Sequence, residues 1–242
     1  MPPSKLIFAF VAAAIGIAAA ISLGNWQTRR GDAKLALQAQ ADAAERAAPL
    51  EIAASRSSIE DVAAQLPRRV RVSGAFDSAG TILLDNRMLG SVAGYYVITP
   101  LVVGDGLPAV LIDRGWKARS AGKSMDAAPA PAGQVSIEGL AVARPSTLLE
   151  LGGAPKLEVP GFWQNLDFEG YERVTKRSVA RFVVRQAEGA RSTVTADRLR
   201  REWPQPASGV EKHRGYAFQW YALAALIALL ASYFGWKTWR AR

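Results

Sequence analysis

The chain of 242 residues contains no cysteine and a single histidine. The missing cysteines exclude disulfides, thiolate nucleophiles and cysteine-ligated zinc or iron–sulfur sites. A formal net charge of +9 suits nucleic acid, anionic lipid or an acidic partner. Because the basic residues are scattered and no nucleic-acid-binding motif occurs, nucleic acid is not expected as a partner.

The first apolar segment runs from Leu6 to Leu23 without a charge. About 18 such residues cross a hydrocarbon core roughly 30 Å thick, so the segment is predicted to be a transmembrane helix that follows a cytoplasmic tail of residues 1–5. A secretory signal peptide is the alternative, since Lys5 precedes the run and Ala20 and Ser22 resemble a cleavage site. An h-region of about 7–15 residues would be shorter than this segment.

Residues 24–215 are predicted to form one periplasmic domain, helical over 32–66 and β-rich over 68–190. Asp32 to Arg46 is rich in Ala, Gln and Lys, which favours an exposed helix, and a second short helix is expected over Ile59 to Leu66. Six strand-like runs bounded by Gly, Pro and Asp follow: Val70 to Phe76, Thr81 to Leu84, Tyr95 to Val103, Ala109 to Asp113, Val135 to Ala143 and Arg181 to Gln186. They predict a mainly β (α+β) domain built as a small antiparallel sandwich or barrel, with a loop over Ala127 to Gly133.

The second apolar segment, Tyr216 to Trp236, is also uncharged and carries aromatic residues at both ends, as transmembrane helices do at the membrane interfaces. The tail of residues 237–242 contains Lys237, Arg240 and Arg242. Cytoplasmic loops carry an excess of basic residues, so both termini are predicted to be cytoplasmic and the central domain to lie outside.

Small residues recur at four-residue spacing in both segments, which lets membrane helices approach closely. They are Ala12, Gly16 and Ala20 in the first segment and Ala224, Ala228 and Ser232 in the second. The two helices are therefore predicted to pair, although alanine-rich segments also produce this spacing by chance.

No P-loop, GxSxG, HExxH or GxGxxG pattern occurs at a matching position, so the sequence favours a protein that is not an enzyme. Asp85, Asp113 and Asp167 are the carboxylates on which a membrane-tethered hydrolase would depend. Each of the three is followed by a residue typical of a strand end or turn.

His213 stands three residues before the second apolar segment, on one helical face with Tyr216, Ala217 and Trp220. A neutral imidazole there is able to ligate haem iron, with Tyr216 and Trp220 covering a planar macrocycle. Nearby cations would pair with haem propionates by charge-assisted hydrogen bonds; they are Arg29, Arg30, Lys212 and Arg214. The alternative is that His213 anchors the helix and the cations meet lipid headgroups.

A series of motifs in a fixed order resembles the Surfeit locus protein 1 family of cytochrome c oxidase assembly factors, along nearly the whole chain. The motifs are Leu23-Gly24-Asn25-Trp26-Gln27 with Arg30 and Lys34, Gly74-Ala75-Phe76, Asp85-Asn86-Arg87 with Gly90 and Gly94-Tyr95, Thr99-Pro100-Leu101, Val110 to Trp116, Trp163-Gln164-Asn165-Leu166-Asp167, and His213 with Tyr216-Ala217 and Gln219-Trp220. Ala33 and Glu211 depart from the family pattern, which often has tryptophan and asparagine there. Turn-forming or core roles are expected for Asn86-Arg87, Arg114-Gly115-Trp116 and Trp163.

The resemblance implies an assembly factor that assists insertion of an a-type haem into the catalytic subunit of cytochrome c oxidase. It implies transient haem a as cofactor and His213 as the ligand of the haem iron. The predicted cofactor-binding residues are His213, Trp220, Tyr216, Trp26, Gln27 and Arg30. Trp26 and Gln27 alternatively anchor the first helix at the interface.

Expected partners are cytochrome c oxidase subunit I, other oxidase assembly or haem a synthesis proteins, and the lipid bilayer. The alternative function is a haem-independent scaffold that stabilises an oxidase assembly intermediate. Without an Arg- and Ser-rich, acid-poor leader, the bacterial inner membrane is the expected location.

Overall fold

The computed structural model describes residues 3–119, 128–149, 157–188, 197–205 and 208–240. Its helices are α1 (Pro3–Arg46), α2 (Arg56–Ala63), α3 (Phe168–Thr175) and α4 (Val210–Arg240), with a short 3-10 helix at Ser78–Gly80. Its strands are β1 (Leu50–Ile52), β2 (Arg68–Phe76), β3 (Ile82–Leu89), β4 (Val92–Val102), β5 (Ala109–Ala118), β6 (Gln134–Val142), β7 (Gly161–Trp163) and β8 (Val179–Gln186). The chain divides into two compact units, a helix pair (Met1–Gln40 and Pro204–Arg242) and a β-domain (Ala41–Trp203).

Helices α1 and α4 are both long and apolar enough to cross a membrane. At 1.5 Å per residue, the 44 residues of α1 extend for about 66 Å and the 31 residues of α4 for about 46 Å. The first predicted span and the predicted helix over Asp32 to Arg46 are therefore parts of one continuous helix. No proline interrupts α1 after Pro3, and single glycines inside a helix are tolerated at a cost of about 1 kcal/mol.

The two apolar helices pair as predicted, but the residues at their contact follow a different spacing from the expected four-residue one. The least exposed positions alternate in steps of three and four, which is the 3.5-residue period of a coiled-coil seam. They are Ala20, Gly24, Gln27, Gly31, Lys34 and Gln38 on α1, and Val210, His213, Ala217, Trp220, Ala224 and Ile227 on α4. Of the six predicted small residues, Gly16, Ala20, Ala224 and Ala228 are buried or half-buried on or beside this seam, whereas Ala12 and Ser232 are exposed.

The β-domain contains a closed barrel of five strands. Neighbouring strands run in the order β2, β6, β8, β5 and β4, and β4 returns to β2 through Ala75 opposite Val102 and Phe76 opposite Leu101. Strand β1 extends the sheet beside β2, while β3 and β7 extend it beside β4.

The predicted fold, two apolar terminal helices that flank a mainly β domain, is confirmed. The expected antiparallel pairing does not hold throughout, because β1–β2, β5–β8 and β3–β7 pair in parallel. A parallel pair needs a long crossover connection between its strands. The chain supplies one between β5 and β8 that contains β6, β7 and α3. The helical prediction over 32–66 is likewise interrupted by β1, and α2 begins at Arg56, where Ser55 caps it by accepting a hydrogen bond from the Ser58 amide.

Both faces of the central strands are buried, since α2 covers one hydrophobic cluster and α3 borders another. Ile59 and Val62 of α2 join the first cluster, whereas Phe168 and Tyr171 of α3 join the second. Every residue from Ala109 to Trp116 is buried as a result. Such double burial explains why this strand is almost continuously apolar.

A buried guanidinium fastens two connecting segments to the barrel. The Arg114 side chain is 1% exposed and donates to the carbonyls of Ala128 (2.7 Å) and Pro129 (2.9 Å) and to Asp197 (3.3 Å). Next to it, Trp116 and Arg200 exchange two backbone hydrogen bonds of 2.7 and 2.9 Å. The structural role expected for Arg114-Gly115-Trp116 is confirmed.

Both the backbone conformation and the close packing at position 115 require glycine. It adopts φ +141°, and an added Cβ would lie 2.9 Å from the Arg200 carbonyl oxygen. Asn86 also takes a positive φ of 56°, at the bulge of β3, and Trp163 is 2% exposed in the core. The expected core role of Trp163 is confirmed, whereas Asn86 lies inside β3 at a bulge and not in a turn.

Strand β5 also buries a carboxyl group, that of Asp113, which is 1% exposed. Burial raises the pKa of Asp113 from 3.8 to about 8, although the charges of Arg185 and Arg87 and the Gly115 amide oppose the change. The folded domain therefore holds a proton that the unfolded chain releases above about pH 4.

We expect the stability of the β-domain to fall as the pH rises from about 4 to about 8, by at most about 1.4 kcal/mol per pH unit, because only the folded state keeps Asp113 protonated. The Asp113→Asn variant should lack this slope and exceed the wild type in stability at pH 8. Thermal unfolding in detergent between pH 5 and 9 measures the difference. Asp85→Asn serves as the control, since Asp85 pairs with Arg119 near the surface, and parallel pH profiles for Asp113→Asn and wild type would refute the assignment.

Candidate functional site

His213 lies in the first turn of α4, against α1. Its Nδ1 is 2.7 Å from Oε1 of Gln27, a residue 186 positions earlier in the chain. Gly31 stands one turn further along α1, and a Cβ added there would be 3.7 Å from the Cβ of His213. The absence of a side chain at Gly31 keeps the backbone of α1 beside the imidazole.

The hydrogen bond to Gln27 determines the form of the imidazole. An amide oxygen only accepts hydrogen bonds, so Nδ1 of His213 carries the proton and Nε2 keeps its lone pair. Metal-ligating histidines are oriented in the same manner, by a partner on the nitrogen that does not touch the metal. The contact with Gln27 thus leaves Nε2 as the ring nitrogen of His213 that faces a possible ligand.

A cavity of about 530 Å³ opens beside this histidine in the helix pair. Four of the six predicted cofactor-binding residues line it: Trp26, Gln27, His213 and Tyr216. The guanidinium of Arg30 lies over the Trp26 ring at 5.8 Å, next to the cavity. Trp220 does not line it, because it lies two turns further along the α4 seam, where it is half-buried.

The cavity is also lined by Lys212, which was predicted to meet haem propionates, and by three residues that were not assigned to a site, namely Lys34, Ser208 and Gly209. Lys34 donates to the Ser208 carbonyl at 2.9 Å. The ammonium of Lys212 makes no hydrogen bond or ion pair with any residue that the structure describes. Lys34 follows Gln27 by seven residues, and this helical spacing was the available signal that both share one face.

These residues fit a haem. A haem iron would take a nitrogen ligand such as His213, and its propionates would take cations such as Lys212 and Arg30. Trp26 and Tyr216 are about half exposed and present flat rings. The volume falls within the roughly 300–1,000 Å³ typical of small-molecule and cofactor sites. Over the described ranges, no three His, Asp or Glu side chains lie close enough together to hold a metal ion by themselves.

A cavity of about 600 Å³ in the β-domain is lined by several arginines and Trp203. Its guanidiniums serve the fold: Arg69 is paired with the buried Glu138, and Arg201 is paired with Asp197 at 2.6 Å. Arg185 lies over the Trp203 ring at 5.9 Å. Fewer arginines of this cavity are therefore available to a ligand than their number suggests.

The three carboxylates considered for hydrolysis each have a structural place. Asp85 accepts from the Asn86 amide and pairs with Arg119, Asp113 is buried, and Asp167 precedes α3 as its N-cap residue. A carboxyl that is 1% exposed does not reach a substrate in solvent. The arrangement gives the hydrolase hypothesis no support.

Comparison with known proteins shows to which family the chain belongs. A family model described as the SURF1 family matches residues 14–225, most of the chain. The chain belongs to the SURF1 family. The match begins within α1 and ends within α4, so it contains Gln27, Gly31 and His213.

One curated relative, a SURF1-like protein of Dictyostelium discoideum, is 35% identical over 120 residues. The alignment covers 47% of this chain and 42% of the relative, so the chain spans less than half the length of the relative that it matches. The family resemblance predicted from the motifs is confirmed.

The contact between Gly31 and His213 is testable by a disulfide, because the chain has no other cysteine. A Cβ–Cβ distance of 3.7 Å is within the range of about 3.5–4.5 Å in disulfides. The double variant Gly31→Cys/His213→Cys should lose both free thiols on mild oxidation and recover them on reduction. Gly31→Cys/Gly215→Cys is the matched control, since nothing lies within 4 Å of Gly215. Equal oxidation of both variants would contradict the packing.

Proposed function

We propose that this SURF1-family protein is an assembly factor for cytochrome c oxidase, and that it holds an a-type haem at the His213 cavity before the haem enters subunit I. Membership of the family supports the assembly role in general. One observation carries the haem part: the hydrogen bond between Gln27 and Nδ1 of His213, which leaves Nε2 as a ligand beside a cavity of about 530 Å³.

Each residue of the cavity has a distinct task in this proposal. His213 binds the iron, and Gln27 fixes the tautomer and the ring orientation. Trp26 and Tyr216 cover the apolar macrocycle, while Lys212 and Arg30 meet the propionates. The haem supplies the iron and the carboxylates that these groups recognise.

The proposed binding is transient. The described residues offer one imidazole at the cavity, and two of the aromatic lining residues are about half exposed. A single protein ligand in an open cavity allows the haem to leave. This property suits transfer to subunit I better than storage.

The proposed location is the bacterial inner membrane, with two spans, a periplasmic β-domain and cytoplasmic termini. Lys237 and Arg240 in the last turn of α4 support this orientation, because basic residues are retained on the cytoplasmic side. Subunit I of the oxidase and the proteins of haem a synthesis are the proposed partners.

A haem-independent scaffold is the second candidate, and the same contact favours it. The hydrogen bond between His213 and Gln27 joins α1 to α4, as the one between Gln38 and Gln205 joins residues of the same unit. Both bonds would stabilise the helix pair without any ligand. Under this candidate, His213 serves the structure alone.

The test is the visible spectrum of detergent-purified protein from cells that make haem a. The wild type should show a haem a spectrum, and His213→Ala should lose it at equal expression, because no other described group at the cavity replaces Nε2. If both preparations are haem-free and His213→Ala cells still assemble active oxidase, the scaffold candidate replaces the haem proposal.

Substitution of Gln27 separates ligation from orientation. Gln27→Ala should weaken haem a binding by about 10- to 100-fold, as loss of the second partner of a metal-ligating histidine does, whereas Gln27→Glu keeps an acceptor for Nδ1–H and should retain binding. Titration of the apo-protein with haem a measures both affinities. Gln38→Ala is the matched control, since it removes a hydrogen bond between α1 and Gln205, which precedes α4 and lies outside the cavity. Equal weakening by Gln38→Ala would mean that helix pairing, and not imidazole orientation, controls binding.

A further inference from the structure

The helix pair contains a second, smaller cavity of about 280 Å³. Its walls include Thr28 and Asp32 of α1 and Arg214, Ala217, Phe218 and Tyr221 of α4. At about 30 Å³ for each molecule of liquid water, its volume corresponds to roughly nine waters. The cavity therefore has room for a small headgroup and is much smaller than the His213 cavity.

One end of this cavity carries two opposite charges that do not pair with each other. The carboxylate of Asp32 makes no hydrogen bond or ion pair within the described residues. Arg214 has one partner, Glu211, at 3.3 Å in the same helical turn, and their side chains are 63% and 85% exposed. Such an exposed pair is weak, so both Asp32 and Arg214 are available to a ligand.

The other end of the cavity is apolar. Phe218 is 73% exposed, and the ring of Tyr221 packs so closely on Gly24 that an added Cβ would lie 2.6 Å from it. The Tyr221 hydroxyl is already used, since it donates to Asn25 at 2.8 Å. This end of the cavity therefore presents hydrocarbon surface, because the hydroxyl of Tyr221 is bound to Asn25.

The cavity lies where the sequence of α4 changes from charged to apolar. Arg214 precedes the uncharged segment that begins at Tyr216, and Phe218 lies inside it. If α4 spans a bilayer, Arg214 is at the level of the lipid headgroups and Phe218 is at the start of the acyl chains. A lipid is the ligand that presents charge and hydrocarbon in this order.

We propose that this cavity binds a zwitterionic phospholipid whose headgroup ends in a primary ammonium. Arg214 donates to the phosphate, Asp32 accepts from the ammonium, and the first part of an acyl chain lies on Phe218 and Ala217. The two charges select this headgroup, because Asp32 repels a purely anionic lipid and a quaternary ammonium has no N–H to donate to a carboxylate. The inference rests on the two helices crossing a bilayer and is independent of haem binding.

The experiment uses the full chain, delipidated in detergent. Phosphatidylethanolamine, phosphatidylglycerol and phosphatidylcholine with identical acyl chains are added separately, and the thermal midpoint of unfolding is followed as a function of lipid concentration. Phosphatidylethanolamine should raise the midpoint most. Asp32→Asn and Arg214→Gln should each raise the concentration needed for half of the shift by about tenfold. Glu211→Gln is the matched control and should leave it unchanged or lower it, because it frees Arg214.

Intact-mass measurement of lipid retained by the detergent-purified protein is the second readout, so a shift in basal stability of a variant does not obscure the result. Equal or stronger stabilisation by phosphatidylglycerol or phosphatidylcholine would overturn the proposal, as would an unchanged response of Asp32→Asn. Soluble phosphoethanolamine that acts at the same concentration as the lipid would also overturn it, since the site would then take a free phosphate ester.

Discussion

The close approach of α1 and α4 at Gly24 and Gly31 is the constraint on which the candidate site depends. Any side chain at Gly24 would meet the ring of Tyr221, and Gly31 places the α1 backbone beside His213. Larger residues would separate the helices, and Gln27 would then no longer reach Nδ1. In lipid, where apolar surface gains little by association, close packing of small residues is a main source of helix pairing. The site is thus built from the interaction that also holds the two helices together.

The β-domain depends on a different interaction, the burial of a charged side chain that is held by several partners. Arg114 is 1% exposed and is held by two carbonyls and by Asp197, which also takes Arg201. Removing a partner of a buried charge typically costs 3–5 kcal/mol, because the remaining charge is left uncompensated. The guanidinium therefore specifies where the segment around Asp197 must lie.

The sequence was sufficient for the elements that carry a local signal. Two uncharged segments predicted the spans, and alternating or continuous apolar runs located six of the strands. The short elements β1, β7 and α3 were missed, since three residues or a single amphipathic turn give no period to detect. Barrel closure rests on only two residue pairs between β2 and β4, and the parallel pairings join distant strands, so neither has a local signature.

The candidate site was predictable by residue type and not by contact. His213 was found because it is the one histidine and stands beside an apolar segment, but its partner Gln27 is 186 positions away. Trp220 was assigned to the site from helical spacing, whereas the 3.5-residue period of the seam carries it two turns beyond the cavity. Lys34 and Lys212 were recognised as charged residues, but not as residues that line one cavity. Only the pairing of α1 with α4 brings them to the same cavity.

The string from Val110 to Trp116 is the most recognisable part of this chain, and all of it is buried in the barrel, far from solvent. Substitutions there act on the fraction of molecules that are folded, and cells remove unfolded molecules through chaperones and proteases. Cells that produce a variant at Arg114 would therefore contain a low steady-state amount of the protein. A compound that stabilises the barrel would raise this amount without binding at the helix pair.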